Sequence, residues 1–313
     1  MRVVVYGTGG VGGYFGGRLA EAGEDVTFFA RGAHLDAIRA NGLTVESIKG
    51  NFVVNPARAE SDPAAIGPVD LVIVGVKTWQ VRESAEAMRP LIGPETLVLP
   101  LQNGVDAPYE LAEALDKPGE LPHVLGGLCR LVTMVAAPGV IKHAGMDPYL
   151  AFNRLDGQPD ARVDRLLAAF KKAQGLTVEV PADIVAALWA KFAFIAPFSG
   201  VGAVTRVPAG KLRTVPETRI MLEAALREVV AVARARGVTL PADQVERVLA
   251  QIDSLPEGGT ASMQRDIMEG RPSELEAQNG SVVRMGKAAG VPTPVNQFLY
   301  AALLPQERKA RGQ

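Results

Sequence analysis

The chain has 313 residues, 48% of them hydrophobic, and a formal net charge of −1 from 33 basic and 34 acidic side chains scattered along its length. That is enough material for two domains with separate cores, while the balanced charge offers no basic face for nucleic acid and no polybasic helix for a membrane surface. A single cysteine, Cys129, excludes an internal disulfide and a multi-cysteine zinc site and fits a reducing compartment, so a cytoplasmic location is expected.

The N-terminus enters a strand-like run without a basic leader and apolar stretch, and no later run supplies ~18 uncharged apolar residues, so neither export nor membrane insertion is expected. Up to about residue 180, short β-branched runs alternate with helical patterns, the mark of βαβ units and a mostly parallel sheet. "RVVVYG", "EDVTFFA", "PVDLVIVGVK" and "TLVLPLQNG" read as buried strands. "GGYFGGRLAEAG", "QVRESAEAMRPL" and "ARVDRLLAAFKKAQG" read as helices, the last followed by a short strand "LTVEV". From "VLGGL" to "YLAF" the pattern is strand-like but irregular, and additional strands are expected. After Pro181 every segment has helical spacing, from "DIVAALWAKFAFI" through "ETRIMLEAALREVVAVARARG" to "VNQFLYAALL".

Between the first strand and the first helix stands "GTGGVG", with Gly7, Gly9 and Gly12 at the spacing of a dinucleotide-binding loop. The first glycine permits a tight turn, the second lets the backbone approach a pyrophosphate, and the third lets helix and strand pack closely. About 20 residues on, a site for the non-phosphorylated cofactor carries Asp or Glu for the ribose hydroxyl. Here the second strand ends "FFARG", and Arg31 stands where its guanidinium would take a 2′-phosphate in a bidentate manner, which points to NADP(H). The plain alternative is a solvated arginine after a strand. Lys77 and Asn103 sit at the carboxyl ends of later strands, the edge at which such sheets collect ligands. The expected fold is α/β: an N-terminal Rossmann-type dinucleotide-binding domain over residues 1–180 and an all-helical C-terminal domain over 181–313, with a shared cleft.

In "LWAKFAFIAPFSG", residues 188–200, Lys191 is the one charge in an apolar helix, where a lysine ordinarily snorkels its head to solvent. In "SELE", Ser273 and Glu276 have capping-box spacing, which would put Glu274 in a first helical turn, and Ser262 reads as a helix-start serine. His34, His123 and His143 lack metal-ligand spacing, so no metal is expected. His143 is expected in a hairpin with a structural role. Cys129 reads as an inert buried thiol, and Trp79 and Trp189 as core or cleft-lining residues.

Taken together, "GTGGVG", "VKTWQ" with Lys77 and Gln80, "QNGV" with Asn103, "LWAKF" with Lys191 and "SMQRDIMEGRPSE" with Ser262 and Glu274 resemble the ketopantoate reductase (2-dehydropantoate 2-reductase) family, over almost the whole chain. The resemblance implies NADPH-dependent reduction of a 2-oxoacid to a 2-hydroxyacid, 2-dehydropantoate to pantoate in pantothenate biosynthesis. It implies a cofactor site of Gly7, Thr8, Gly9, Gly10, Val11, Gly12, Arg31, Lys77, Gln80 and Asn103. It implies a substrate site of Asn103, Lys191, Ile195, Ser199, Ser262 and Glu274, with Lys191 the catalytic acid and Glu274 a second catalytic carboxylate. The implied partner is a small-molecule 2-oxoacid, with neither nucleic acid nor membrane; the helix at 217–236 is free to face a second copy in a homodimer or its own domain.

The chain departs from the family pattern where asparagines are expected four and eight residues after the lysine: those places hold Ile195 and Ser199, and a third, before "GKL", holds Ala209. Pro197 intervenes and would kink the helix. A less polar cleft would suit another 2-oxoacid or ketopantoyl lactone as substrate. A reading of another class is a catalytically inactive NADP(H)-binding sensor.

Overall fold

In β1 (Arg2–Tyr6) the side chains of Val3 and Val5 point to one face and those of Val4 and Tyr6 to the other, and all four are buried. A strand covered on both faces belongs inside a parallel sheet with helices on each side. The computed structural model, which describes residues 1–116 and 122–313, places it there. The first part of the chain continues with α1 (Gly10–Glu21), β2 (Asp25–Phe29), α2 (Gly32–Asn41), β3 (Leu43–Ser47), β4 (Phe52–Val54), β5 (Arg58–Glu60), β6 (Leu71–Val74), α3 (Val81–Ala87) and β7 (Leu97–Pro100). After these come α4 (Ala107–Leu115), β8 (Leu125–Ala137), β9 (Val140–Arg154), α5 (Ala161–Lys172) and β10 (Thr177–Glu179).

The main sheet has the order β5-β2-β1-β6-β7, parallel throughout. Beyond β7, Val98 N donates to His123 O at 2.8 Å, opening a sixth position. The order turns back between β1 and β6, the switch point at which open α/β sheets take ligands beyond the strands' carboxyl ends. Packed cores on the two faces follow the alternation of β1: Val3 and Val5 join Phe15, Leu19 and Phe28, while Val4 and Tyr6 join Val72, Val81 and Leu111.

The irregular stretch forms the long hairpin β8–β9, and β9 also carries β3 and β10 in a second sheet of order β10-β9-β3-β4. The sequence reading did not anticipate β3, β4, β5, α2 or α4. β4 and β5 have three residues each and are only partly buried, so neither alternation nor a long apolar run marks them.

The chain divides into two compact units, Met1–Gln102 with Ala107–Ile184, and Asn103–Asp106 with Val185–Gln313. In the second, no strand occurs among the described residues. Its helices are α6 (Ile184–Thr205), α7 (Ala209–Thr214), α8 (Pro216–Ala235), α9 (Gln244–Asp253), α10 (Ser262–Met268), α11 (Ser281–Ala289) and α12 (Pro294–Ala310), and a π-helical turn, Glu276–Gly280, leads into α11. Helix α6 is long and apolar enough to cross a membrane, and 61% of its most apolar window is buried inside the protein. Pro197 takes a donor from the ladder, yet α6 continues as one helix from Ile184 to Thr205.

Candidate active site

At the end of β1 the backbone turns at Gly7 with φ of +97°, a conformation that favours glycine, and a Cβ there would also strike Val76 N at 2.7 Å. A Cβ on Gly12 would lie 2.4 Å from the Gly7 carbonyl oxygen, so α1 can approach β1 only without one. Gly9 differs: a Cβ there would meet nothing nearer than Gly75 O at 4.0 Å. Its backbone faces open space. Gly9 caps α1 without a side chain, and the first turn of α1 holds no acidic residue, so its free N–H groups and positive end are offered to an anion. These features fit a dinucleotide pyrophosphate.

Other candidate residues of the first unit surround this loop in different ways. Thr8 is buried, and both its hydroxyl, at 3.0 Å, and its backbone N–H, at 3.2 Å, donate to Phe29 O, so Thr8 ties the loop to the end of β2. Val11 is half-buried against the core. Arg31 is exposed in extended backbone before α2, its guanidinium carbon 5.7 Å from the Phe29 ring centroid, with no ion pair to another described residue. Its charge is felt by Tyr6, whose hydroxyl is pushed up by burial and partly pulled back by Arg31. After β6, Lys77 N donates to Gln80 Oε1 at 3.2 Å, and the Lys77 amine lies 5.9 Å from the Trp79 ring centroid. Trp79 is 42% exposed and so is not a core residue, unlike Trp189 at 3%. Gln102, which the sequence reading passed over, fixes the end of β7 by donating to Val74 O and Val76 O, both at 2.9 Å.

The candidates for substrate chemistry, including Asn103, fall in the second unit. Asn103 Nδ2 donates to Glu274 Oε2 at 3.0 Å, a contact between residues 171 positions apart. Glu274 is 8% exposed. Its position is fixed from the residue before it: both carboxylate oxygens of buried Glu307 accept from Ser273 N, at 3.1 and 3.0 Å, and Oε2 also accepts from Ser273 Oγ at 2.5 Å. Arg311 completes the clamp, donating to Glu307 at 2.6 Å and to the Ser273 carbonyl at 2.9 Å.

The capping box expected of Ser273 and Glu276 is therefore absent. Ser273 Oγ still accepts from Leu275 N at 3.3 Å while donating to Glu307 of α12, but Glu276 turns outward to Arg284 and Tyr300 instead of reaching back, and the backbone enters a π-helical turn. The wide turn is closed by Gly280 N donating to Leu275 O at 3.0 Å.

On α6, Lys191 and Ile195 are half-buried and Ser199 is wholly buried, the three lying along one stripe at successive i+4 positions. Among the described residues, Lys191 has neither a hydrogen bond nor an ion pair. Ser262, the first residue of α10, is half-buried and its hydroxyl makes no hydrogen bond with a described residue. The histidines serve the scaffold: His143 is held between Ser47 Oγ at 2.8 Å and Met146 O at 2.9 Å, and His123 meets Thr96 O at 2.9 Å. His34 Nδ1 accepts from Gly139 N at 3.0 Å, and burial pulls its imidazole below the ordinary range. Cys129 is buried.

Residues 3–157 match the family model described as Ketopantoate reductase PanE/ApbA, and residues 183–307 match that of its C-terminal part. The uncharacterized oxidoreductase YkpB of Bacillus subtilis is 30% identical over 97% of this chain and 98% of its own length. The 2-dehydropantoate 2-reductase of Halobacterium salinarum is 33% identical, over 96% of each chain. Among solved structures, a PanE/ApbA family ketopantoate reductase from Ralstonia eutropha JMP134 superposes with a TM-score of 0.89 at 34% identity, covering 99% of this chain and 100% of its own. A glycine loop at a Rossmann switch point, a helical second unit and two family models matched in order lead to one assignment: the chain belongs to the ketopantoate reductase family and is an oxidoreductase.

Proposed function

We propose that this protein reduces a 2-oxoacid to the 2-hydroxyacid at the expense of NADPH, with 2-dehydropantoate as substrate and pantoate as product, in cytoplasmic pantothenate biosynthesis. The observation that carries the reading is Lys191, a half-buried ammonium in an apolar helix with no described partner, in a chain whose relatives include named 2-dehydropantoate 2-reductases. When bound, the dinucleotide supplies the hydride that forms the new carbon–hydrogen bond.

The first unit holds the cofactor: the loop of Gly7, Thr8, Gly9, Gly10, Val11 and Gly12 cradles the pyrophosphate, Thr8 anchoring it to Phe29 O while the backbone N–H groups that follow meet the phosphates, and Arg31 takes the 2′-phosphate. Lys77 and Gln80, after β6, line the same switch point, and Asn103 serves cofactor and substrate. Lys191 faces the substrate carbonyl. As the carbon gains hydride, the carbonyl π pair moves onto oxygen; the ammonium stabilises that charge and passes its proton from Nζ to it, and solvent restores the proton. Removal of such a donor costs ~2.7–4 kcal/mol of barrier, or ~100- to 1,000-fold in rate. Glu274, steadied by Asn103, hydrogen-bonds the substrate, while Ser262, Ser199 and Ile195 shape the rest of the site.

The test is loss of NADPH absorbance with 2-dehydropantoate and with other branched and unbranched 2-oxoacids, for wild type and Lys191→Ala. Preferred turnover of 2-dehydropantoate that falls ~100-fold or more in the variant is expected. Tight NADPH binding without turnover of any 2-oxoacid would refute the enzyme and leave a sensor.

A further inference from the structure

Three polar side chains of the second unit are completely buried with orphaned polar atoms: Ser199, Gln278 and Asn279, the last only at Oδ1 because its amide nitrogen is paired. Ser199 Oγ has no hydrogen-bond partner, and neither Nε2 nor Oε1 of Gln278 has one. A carboxamide with both ends unpaired is costly in a protein interior, and native folds keep such groups where a ligand or an ordered water completes their hydrogen bonds.

The backbone shows which way Gln278 points. Gln278 N donates to Glu274 O at 3.0 Å, so Gln278 stands one turn beyond Glu274 on the same face. The other positions of the turn face elsewhere. Leu275 packs with Ala203, Met263 and Leu303, Asn279 donates to Ala196 O and Asn296 Oδ1, and Glu276 meets Arg284 and Tyr300. The remaining face, shared by Glu274 and Gln278, is the one on which Asn103 lies, and a Cβ on Gly104 would stand 2.9 Å from the Ala277 carbonyl. Helix α6 adjoins the same turn: a Cβ on Gly200 would come within 2.7 Å of the Asn279 side chain. Ser199, next to Gly200, continues the stripe that carries Lys191.

We propose that Gln278, together with Ser199, is the specificity element for a hydroxyl group on the 2-oxoacid, the π-helical turn supplying a carboxamide where α6 offers only the alkyl side chain of Ile195. This rests on the reading of the protein as a 2-oxoacid reductase. The chemistry selects a hydroxyl, because a neutral carboxamide gives and takes hydrogen bonds, and one hydroxyl can do both in return. A substrate with hydrogen or alkyl in that place would leave the buried amide unpaired, and sites of this kind discriminate strongly against such analogues.

The experiment compares kcat/KM for 2-dehydropantoate and for the same acid with methyl in place of its hydroxymethyl group, using full-length wild type, Gln278→Leu and Gln278→Glu, each checked by thermal melting. Wild type is expected to prefer the hydroxylated acid. In Gln278→Leu that preference should fall by about 10- to 100-fold, mainly through a higher KM for the hydroxylated acid, as loss of one buried pairing implies. A variant that slows both acids equally, or neither, would overturn the assignment while leaving the reductase reading intact. Should Gln278→Leu fail to fold, Gln278→Glu, which keeps the shape and loses the donor, answers the same question by the same ratio. Wild type that reduces neither acid would overturn the reductase reading and this assignment with it.

Discussion

Replacing Gly9 and Gly12 in turn separates the two tasks of the loop after β1. A methyl at Gly12 would stand 2.4 Å from Gly7 O and 2.9 Å from a Val5 methyl, inside normal contact on both sides, so the start of α1 must retreat from the sheet. Overpacking of this kind costs ~1–3 kcal/mol. At ~2–4 °C per kcal/mol for a domain of this size, Gly12→Ala should lower the melting temperature by ~2–12 °C and weaken NADPH as well. A methyl at Gly9 would meet only Gly75 O at 4.0 Å, so the fold loses no more than the N-cap preference for glycine over alanine, under ~1 kcal/mol. That methyl occupies the space through which a pyrophosphate reaches the backbone. Loss of one charge-assisted N–H contact, ~1.5–3 kcal/mol, corresponds to ~10- to 150-fold in Kd. Melting curves and titration of protein fluorescence with NADPH read both quantities. Gly9→Ala that binds NADPH as wild type does would refute the cradle, and Gly12→Ala that melts as wild type does would refute the steric reasoning.

Arg31→Ser should weaken NADPH by ~10- to 100-fold and leave NADH nearly unchanged, since only the former brings a 2′-phosphate to the guanidinium; equal effects on the two would remove Arg31 from that role. Glu307→Gln keeps the volume of the clamp on Ser273 but gives up its charge and one acceptor, so a loss of ~2–4 kcal/mol in stability is expected in denaturant titration, with reduced kcat/KM because Glu274 follows Ser273 directly. The Asp160 carboxyl caps α5 and is held below its ordinary value chiefly by its hydrogen bond to Arg162, against the opposing effect of burial. A depressed carboxyl stabilises the fold above its unfolded value of 3.8 and loses that contribution as pH falls through the lower folded value. Asp160→Asn should flatten this acid limb of the stability profile; an unchanged limb would show that other groups set it.

Much of the first unit was legible in the sequence because its signals are local. "RVVVY" followed by "GTGGVG" and a helix carries its own turn, close approach and helix end within a few residues, and Lys191 stands out by charge alone. Short strands such as β4 and β5 are ordered by their partners, β4 by the adjacent β3 and β5 by β2 across two intervening strands, and three residues are too few for a periodicity to announce them. The carboxylate end of the site was legible only by resemblance. "SELE" has the spacing of a capping box, but Arg284 and Tyr300 draw Glu276 outward, and Ser273 keeps only its own bond from Leu275 N while Glu307 of α12 takes its hydroxyl proton in a charge-assisted bond.

What the sequence by itself determined is the class of protein: a dinucleotide loop at the end of a buried strand, a helical second half and a lysine in an apolar helix. Tertiary structure alone decided which polar groups meet, bringing Asn103 to Glu274 across 171 positions and leaving the amide of Gln278 buried and unpaired beside them. The physical reason is range. Turn and helix signals act over one or two turns of chain, whereas hydrogen-bond satisfaction in a buried site is settled by whatever the packed elements bring within about 3 Å.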